Sequence, residues 1–258
     1  MSVIQEWLMP LPALLALAIL AWAMATARRN AGLVDVFWPL FFLLAAAVCA
    51  LFADTLAARA LLVLALVALW ALRLATYLAA RNWNAAEDHR YRAIRARNEP
   101  GFAWKSLYLV FGLQAMLAWV IAAPLAAAIT SSAPLGAIDL LGAALAAFGT
   151  LFEATADAQL KRFKSDPANA SAVMDSGLWR YSRHPNYFGE FCVWWGFYLL
   201  ALGGGAWWTA FAPALMTVLL LRVSGVALLE RDIGDRRPAY RDYIARTNAF
   251  FPAPPRPL

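Results

Sequence analysis

The chain has 258 residues, of which 63% are hydrophobic and 15% are charged, and it carries 22 Lys and Arg against 16 Asp and Glu. A soluble domain is about half apolar and about a quarter charged, so this composition argues against one. The sequence contains no GxGxxG or GxxxxGK[ST] loop, which argues against a Rossmann or P-loop nucleotide domain. Its two histidines and two cysteines are too few for an ordinary zinc or haem site, so we expect no bound metal.

Seven apolar runs follow one another along the chain, and most reach the roughly 20 residues that one α-helical crossing of a membrane requires. The basic pair Arg28-Arg29 follows the first run instead of preceding it, which indicates a retained helix and not a cleaved signal peptide. The sequence therefore predicts an all-α, polytopic membrane bundle that forms a single domain over 1–258. The predicted spans are 8–27, 31–53, 60–80, 106–130, 135–159, 187–202 and 206–228.

Basic residues gather in alternate loops. With these spans, 19 of the 22 Lys and Arg fall on one side of the membrane, and only Arg59 lies in a loop on the other side. The positive-inside rule then places the N-terminus outside and the C-terminus in the cytosol. We predict an integral membrane protein whose active site faces the cytosol.

Polar side chains inside the spans mark a candidate site, because a charge in lipid is costly. We expect all of them in the cytosolic halves of the spans and none in the outer halves, which favours one polar cavity open to the cytosol over a pore. For Glu153, a structural ion pair with Lys161 is an equally good interpretation. These residues are Asp35, Arg73, Tyr77, Glu153, Asp157, Glu190 and Arg222, with Glu230 near the end of the seventh span.

A second group of donors and rings lies between the fifth and sixth spans, where residues 176–190 read SGLWRYSRHPNYFGE. Arginine pairs with phosphate in a bidentate way, and Tyr and Trp stack on planar rings. With the basic tail, this segment could therefore wrap a large, phosphate-rich cofactor. A loop that binds anionic lipids would have a similar composition, and that alternative stays open.

The segment RYSRHPNYFGE, the tail ERDIGDRRPAYRDYIARTNAFFP, the Asp35-Val36-Phe37-Trp38 run and the Arg73–Arg81 stretch also carry a family resemblance. The chain resembles, over nearly its whole length, the bacterial DUF1295 branch of the steroid 5α-reductase superfamily. The RHPNYFGE segment is the most specific part, although isoprenylcysteine methyltransferases and sterol Δ14-reductases have similar segments. The resemblance implies a seven-helix reductase of the bacterial inner membrane that binds NADPH.

The implied reaction is that of an oxidoreductase acting on CH–CH donors, similar to 3-oxo-5α-steroid 4-dehydrogenase. It would reduce the C=C bond of an α,β-unsaturated ketone lipid, with a 3-oxo-Δ4 steroid as the expected substrate. Tyr77 resembles the tyrosine that faces the substrate ketone, and Asp35 lies where those enzymes have its acidic partner. Phe37, Trp38 and Arg73 would line the substrate cavity.

The resemblance also implies cofactor contacts, and it carries over to five positions: Asp157, Lys164, Asn186, Glu190 and Arg246. The surrounding donors and rings complete the predicted cofactor site: Lys161, Arg180, Tyr181, Arg183, His184, Tyr187, Arg231, Arg236 and Tyr240. The chain departs from the eukaryotic pattern at Glu153, which stands where those enzymes have Asn, and at Asp35, which is shorter than their Glu.

Two other functions remain open. The RHPNY motif and the basic tail also suit a membrane methyltransferase of the isoprenylcysteine type that uses S-adenosylmethionine. A non-catalytic lipid-binding scaffold is the second alternative. The expected partners are a lipid-like enone and membrane lipids, with neither nucleic acid nor an obligate protein partner.

Overall fold

A computed structural model describes residues 7–223, 225–230, 233 and 238–257, and all regular structure in that part of the chain is helical. The helices are α1 (Pro10–Ala27), α2 (Val34–Phe52), α3 (Ala58–Asn82), α4 (His89–Asn98), α5 (Phe102–Ile121), α6 (Ala123–Thr130), α7 (Ala137–Ser165), α8 (Pro185–Gly203), α9 (Phe211–Val218), α10 (Val226–Glu230) and α11 (Tyr240–Arg246). A π-helical turn, Leu107–Gly112, lies within α5, and a second one, Leu219–Val223, follows α9.

Six helical segments of the described chain are long and apolar enough to cross a membrane: Pro10–Ala27, Ala31–Phe52, Ala58–Asn82, Phe102–Ile121, Ala137–Ser165 and Trp207–Glu230. They confirm the predicted all-α membrane fold. The predicted span 187–202 also forms a helix, α8, but it is not one of these six because Asn186, Tyr187 and Glu190 lower the hydropathy of its first two turns. The count of seven crossings and the orientation of the termini stay predictions.

The predicted span 106–130 is two helices instead of one. Ala122 ends α5 with a ψ of −4°, and α6 starts with Pro124 in its first turn. Proline lacks the N–H group that would continue the α-helical hydrogen bonding, so the break falls just before it. The first of the two helices begins at Phe102, four residues earlier than predicted.

The packing divides the chain into two compact units, each built from two stretches of sequence. Unit 1 is Met1–Asp139 with Leu200–Ala212, and unit 2 is Leu140–Leu199 with Pro213–Leu258. The single domain over 1–258 stays a prediction. In unit 1, α2 packs along α3, and large rings such as Phe41, Phe42 and Trp70 are fully buried in its core.

Unit 1 also contains a buried ion pair that joins the start of α3 to the start of α7. Arg59 donates from Nε to Asp139 Oδ1 over 2.7 Å and from Nη2 to Oδ2 over 3.0 Å. The remaining N–H groups donate to Ser131 Oγ and to the carbonyl oxygens of Ala133 and Pro134. The expectation that no span carries a charge in its outer half is therefore wrong, because Asp139 lies in the first turn of α7.

In unit 2, small residues allow α7 and α8 to approach almost backbone to backbone. A Cβ atom placed on Gly149 would lie 2.5 Å from the carbonyl oxygen of Gly189, and one on Gly196 would lie 2.6 Å from the nitrogen of Ala146. Helices in membranes associate closely through such small residues. This contact fixes the first turns of α8 beside the polar second half of α7.

Candidate functional site

The Asp35 carboxylate is the centre of a polar cluster in unit 1. The Tyr91 hydroxyl donates to Asp35 Oδ1 over 2.5 Å, and Arg90 Nη2 donates to Oδ2 over 3.2 Å. Gln114 Nε2 lies 3.4 Å from the Tyr91 hydroxyl oxygen. The cluster therefore joins α2, α4 and α5 and combines an acid, a phenol and a cation.

The short helix α4 positions two members of this cluster. Asp88 caps the helix by accepting from the backbone N–H of Arg90 over 2.9 Å, and it also accepts from Arg90 Nε over 3.0 Å. Such a cap fixes the first turn of a helix. Because Asp88 also binds the Arg90 guanidinium, it fixes that side chain as well. The ring of Tyr91 packs against Gly32, where a Cβ atom would lie 3.3 Å from Tyr91 Cδ2.

The surroundings of the cluster keep the Tyr91 phenol protonated and the Arg90 guanidinium charged. Burial, and then the negative charge of Asp35, raise the pKa of the Tyr91 phenol well above its ordinary value. Burial alone would lower the pKa of Arg90, but the charge of Asp35 and the hydrogen bond to Asp88 outweigh it and raise that pKa. At neutral pH, Tyr91 is therefore a hydrogen-bond donor beside a permanent cation.

The other residues predicted for catalysis and substrate binding lie on α2 and α3. Tyr77 and Arg73 are half-buried, and the Arg81 guanidinium lies 5.7 Å from the centre of the Tyr77 ring. Trp38 meets Phe42 edge-on at 5.0 Å between ring centres. Phe37 is half-buried. The predicted pairing of Tyr77 with Asp35 stays a prediction.

The sequence prediction missed three residues of the cluster: Arg90, Tyr91 and Gln114. A signal was present, because Asp88 before His89-Arg90-Tyr91 is a typical helix start and Tyr91 is the one phenol among the charges of HRYRAIRAR. A buried aromatic residue on such a basic helix indicates that this face is turned towards the protein. The sequence alone does not show that it meets Asp35.

In unit 2, acidic residues of α7 lie against the start of α8. Asn186 Nδ2 is 3.5 Å from Asp157 Oδ1, so two residues that the resemblance assigns to the cofactor are neighbours. Glu153 lies beside Gly189, whose Cβ atom would be 2.7 Å from the Glu153 backbone nitrogen. Glu153, Asp157 and Glu190 are all buried.

Two predicted cofactor residues, Arg183 and His184, make strong contacts within unit 2. Arg183 donates from Nε and Nη2 to the two carboxylate oxygens of Glu230, over 2.7 Å each, and from Nη1 to carbonyl oxygens of Ile244 and Thr247. His184 Nε2 is 2.9 Å from Glu230 Oε1. Burial alone would lower the pKa of Arg183, but Glu230 outweighs it and raises that pKa. These contacts fasten the chain before α8 to α10 and α11.

The C-terminal stretch encloses the same loop. The buried Tyr243 hydroxyl donates to the Trp179 carbonyl oxygen, and Ser182 Oγ donates to the Phe250 carbonyl oxygen over 2.8 Å. The loop backbone also takes part, because the Arg183 N–H donates to the Asn248 carbonyl oxygen over 2.9 Å. Because these hydrogen bonds hold the loop in place, its outward-facing side chains keep a fixed arrangement.

The remaining predicted cofactor residues lie nearer the surface of unit 2. Lys161, Lys164, Arg180 and Tyr181 are exposed. The other three are half-buried: Tyr187 stacks on His184 at 5.5 Å, Tyr240 meets Tyr243 edge-on at 5.2 Å, and Arg246 Nη2 is 3.5 Å from Asp175 Oδ2. The predicted residues Arg231 and Arg236 lie outside the described residues.

Comparison with known proteins places the chain in a family. It is similar to an uncharacterized protein of Schizosaccharomyces pombe, with 27% identity over 90% of this chain and 75% of the relative. No solved structure matches the chain. Residues 21–247 match the family described as "Protein of unknown function (DUF1295)". Because that match covers most of the sequence, the chain belongs to the DUF1295 family.

Proposed function

We propose that this protein is an NADPH-dependent reductase of the C=C bond of an α,β-unsaturated ketone lipid, with a 3-oxo-Δ4 steroid as the first substrate to test. The observation that carries this proposal is the contact between the Asp35 carboxylate and the Tyr91 phenol, reinforced by Arg90. Reduction of an enone at its β-carbon builds negative charge on the ketone oxygen. A donor held at that oxygen stabilises the transition state.

The residues of unit 1 would provide that donor. When Asp35 is protonated, it can donate to the phenol oxygen, which leaves the phenol proton free to bind the ketone. Two tyrosines are candidates: the family resemblance implies Tyr77, whereas the hydrogen bond to Asp35 favours Tyr91. The half-buried rings of Phe37 and Trp38 are suited to a flat, apolar substrate. Water would supply the proton for the α-carbon.

The residues of unit 2 carry the kinds of chemical groups that bind a dinucleotide. Lys161, Lys164 and Arg180 are exposed cations suited to phosphate groups, and the exposed Tyr181 ring can stack on a planar base. Asn186 and the neighbouring Asp157 offer an amide and a carboxylate for the polar edges of a nicotinamide or ribose. When bound, NADPH would supply a hydride to the β-carbon of the enone. Arg183 would act indirectly, because its contacts with Glu230 hold the loop that carries Arg180 and Tyr181.

The test uses the full-length protein in nanodiscs with NADPH and a 3-oxo-Δ4 steroid. We expect nicotinamide absorbance to fall in proportion to the appearance of a product two mass units heavier. NADPH should also raise the thermal unfolding midpoint, and Asn186→Ala should reduce that shift because it removes a proposed cofactor contact. Unchanged NADPH affinity in Asn186→Ala would count against the cofactor site.

The same thermal measurement separates the alternatives. A methyltransferase would be stabilised by S-adenosylmethionine and not by NADPH, whereas a lipid-binding scaffold would respond to neither. Lys105→Gln is a suitable control, because it removes a cation of unit 1 that donates to the Asn98 carbonyl oxygen and lies outside both proposed sites. Its response to NADPH should match that of the unsubstituted protein.

A further inference from the structure

A polar pocket of about 320 Å³ lies in unit 1, apart from the Asp35 cluster. It is bounded by the end of α1, by α4 and by the start of α5. Its polar wall consists of Thr26, Arg29, Arg95, Glu99 and Ser106. The other lining residues are small or aromatic, so the cavity combines charged groups with an apolar floor.

The pocket lies at the ends of two membrane-spanning helices. Arg29 is two residues beyond the end of α1, and Phe102 is the first residue of α5. Trp22 donates to the carbonyl oxygen of Ala103 over 2.7 Å, and its ring lies 5.1 Å from that of Trp104, which is exposed. Tryptophan is enriched at the membrane–water interface, which favours a position of this pocket at the depth of lipid headgroups.

The two arginines of the pocket are held in different ways. Arg95 binds both carboxylate oxygens of Glu87, over 2.9 and 2.8 Å, and its guanidinium lies 4.5 Å from the centre of the Phe102 ring. Glu87 thus offsets the charge of Arg95 and fixes its position. Arg29 is exposed, and its φ of +50° is a conformation that residues other than glycine rarely adopt. This left-handed residue ends α1, because the Arg29 N–H donates to the Thr26 carbonyl oxygen and the Asn30 N–H donates to the Ala25 carbonyl oxygen.

We propose that this pocket binds the phosphate of a membrane phospholipid, with Arg29 as the main ligand and Arg95 as the fixed second cation. Glu99, on the rim, would accept from an ammonium or hydroxyl group of the same headgroup. The volume is large enough for a phosphate with a short polar substituent, and the acyl chains would follow the exposed apolar surface of the neighbouring helices. This site is independent of the proposed reductase chemistry, because it contains neither Asp35 nor the residues of the cofactor site.

The test is lipid binding to the full-length protein purified in a non-ionic detergent. Phosphatidylethanolamine and phosphatidylglycerol are titrated separately, and the thermal unfolding midpoint and the lipid adducts in native mass spectra are recorded. The informative variant is Arg29→Gly, because glycine adopts a positive φ without strain and the fold should be kept or stabilised. We expect lipid affinity to fall about tenfold or more, since a charge-assisted hydrogen bond is lost.

Arg97→Gln is the matched control. Arg97 is an exposed cation of the same helix α4 and is not part of the pocket, so its loss should leave lipid binding unchanged. Equal loss of affinity in Arg97→Gln, or full affinity in Arg29→Gly, would refute the site. Inorganic phosphate and glycerol 3-phosphate form a third arm: stabilisation by either one equal to that by the lipids would overturn the assignment to a lipid.

Discussion

Unit 1 contains two pairs of an arginine and an aspartate that differ in burial and in how completely their hydrogen bonds are made. In the pair of Arg59 with Asp139, both side chains are at most 1% exposed, and all five N–H groups of the arginine have acceptors. In the pair of Arg90 with Asp35, the side chains are 18% and 21% exposed. Asp35 also shares its carboxylate with the Tyr91 phenol.

The difference separates a structural contact from a candidate site. When every hydrogen bond of a buried ion pair is already made, no donor remains for a ligand. Removing one partner of such a pair leaves an uncompensated charge. A carboxylate that remains partly open and contacts a phenol can exchange a proton or a hydrogen bond with a substrate. Burial of charge alone therefore did not identify the site; the state of the hydrogen bonds around the charge did.

The largest expected effect comes from breaking the closed pair. Arg59→Leu leaves the Asp139 carboxylate buried without its cation, so we expect a loss of about 3–5 kcal/mol in the free energy of unfolding. The measurement is reversible unfolding of the purified protein in detergent micelles. Arg90→Leu should cost less, because Asp35 still receives the Tyr91 hydrogen bond and is partly exposed.

A double substitution provides the control for this prediction. Arg59→Leu combined with Asp139→Leu removes both charges, so it should recover part of the stability lost in Arg59→Leu alone. A double variant that is no more stable than the single one would show that lost packing, and not an unpaired charge, causes the effect. An equal loss from Arg59→Leu and Arg90→Leu would erase the proposed distinction between the two pairs.

Much of the fold was predictable because apolar run length sets the helices. Predicted and observed bounds agree within three residues for the first three helices, where loops are short and charges mark the ends. The break between α5 and α6 was missed, because alanines around Pro124 keep the run apolar even where the helix ends. The length of α7 was underestimated, since its last turns carry Lys161, Arg162 and Lys164 and continue beyond the apolar stretch.

The candidate site was predictable only in part. Spacing along one helix, or a family motif, locates Asp35, Asp157 and Asn186, and the neighbours Asp157 and Asn186 do meet. The contact of Asp35 with Tyr91 joins residues 56 positions apart through a short polar helix that carries no hydrophobic periodicity. The pair of Arg59 with Asp139 was missed for the same reason, because its partners lie 80 positions apart.

The next largest effect should be on turnover, at the open pair. Tyr91→Phe removes a hydroxyl and little else, so the proposed role predicts a fall in kcat of about a hundredfold with NADPH. Asp35→Ala should lower kcat as well, because it removes the group that would hydrogen-bond to the phenol and orient it. Tyr77→Phe is the comparison that sharpens the assignment: a larger loss there than in Tyr91→Phe would make Tyr77 the donor. Near-normal turnover in both tyrosine variants would remove a phenol from the mechanism.

The smallest effect concerns the pH dependence of stability, at the ion pair of Glu87 with Arg95. Burial alone would raise the pKa of Glu87, but hydrogen bonds from Arg95 and the Ala31 N–H outweigh it and hold that pKa below its ordinary value of 4.5. A lowered pKa contributes stability above pH 4.5, and this contribution is lost as the pH falls through the pKa of the folded state. Glu87→Gln should therefore be less stable than the unsubstituted protein at pH 7.

That difference should narrow as the pH falls from 4.5 through the lowered pKa of the folded state, below which both proteins carry a neutral group at this position. The measurement is the unfolding midpoint of the two proteins in the same detergent across this pH range. Glu99→Gln is the matched control at the other end of α4, since Glu99 is exposed whereas Arg95 binds both carboxylate oxygens of Glu87. A difference that stays constant with pH would mean that Glu87 contributes through its shape and not through its charge.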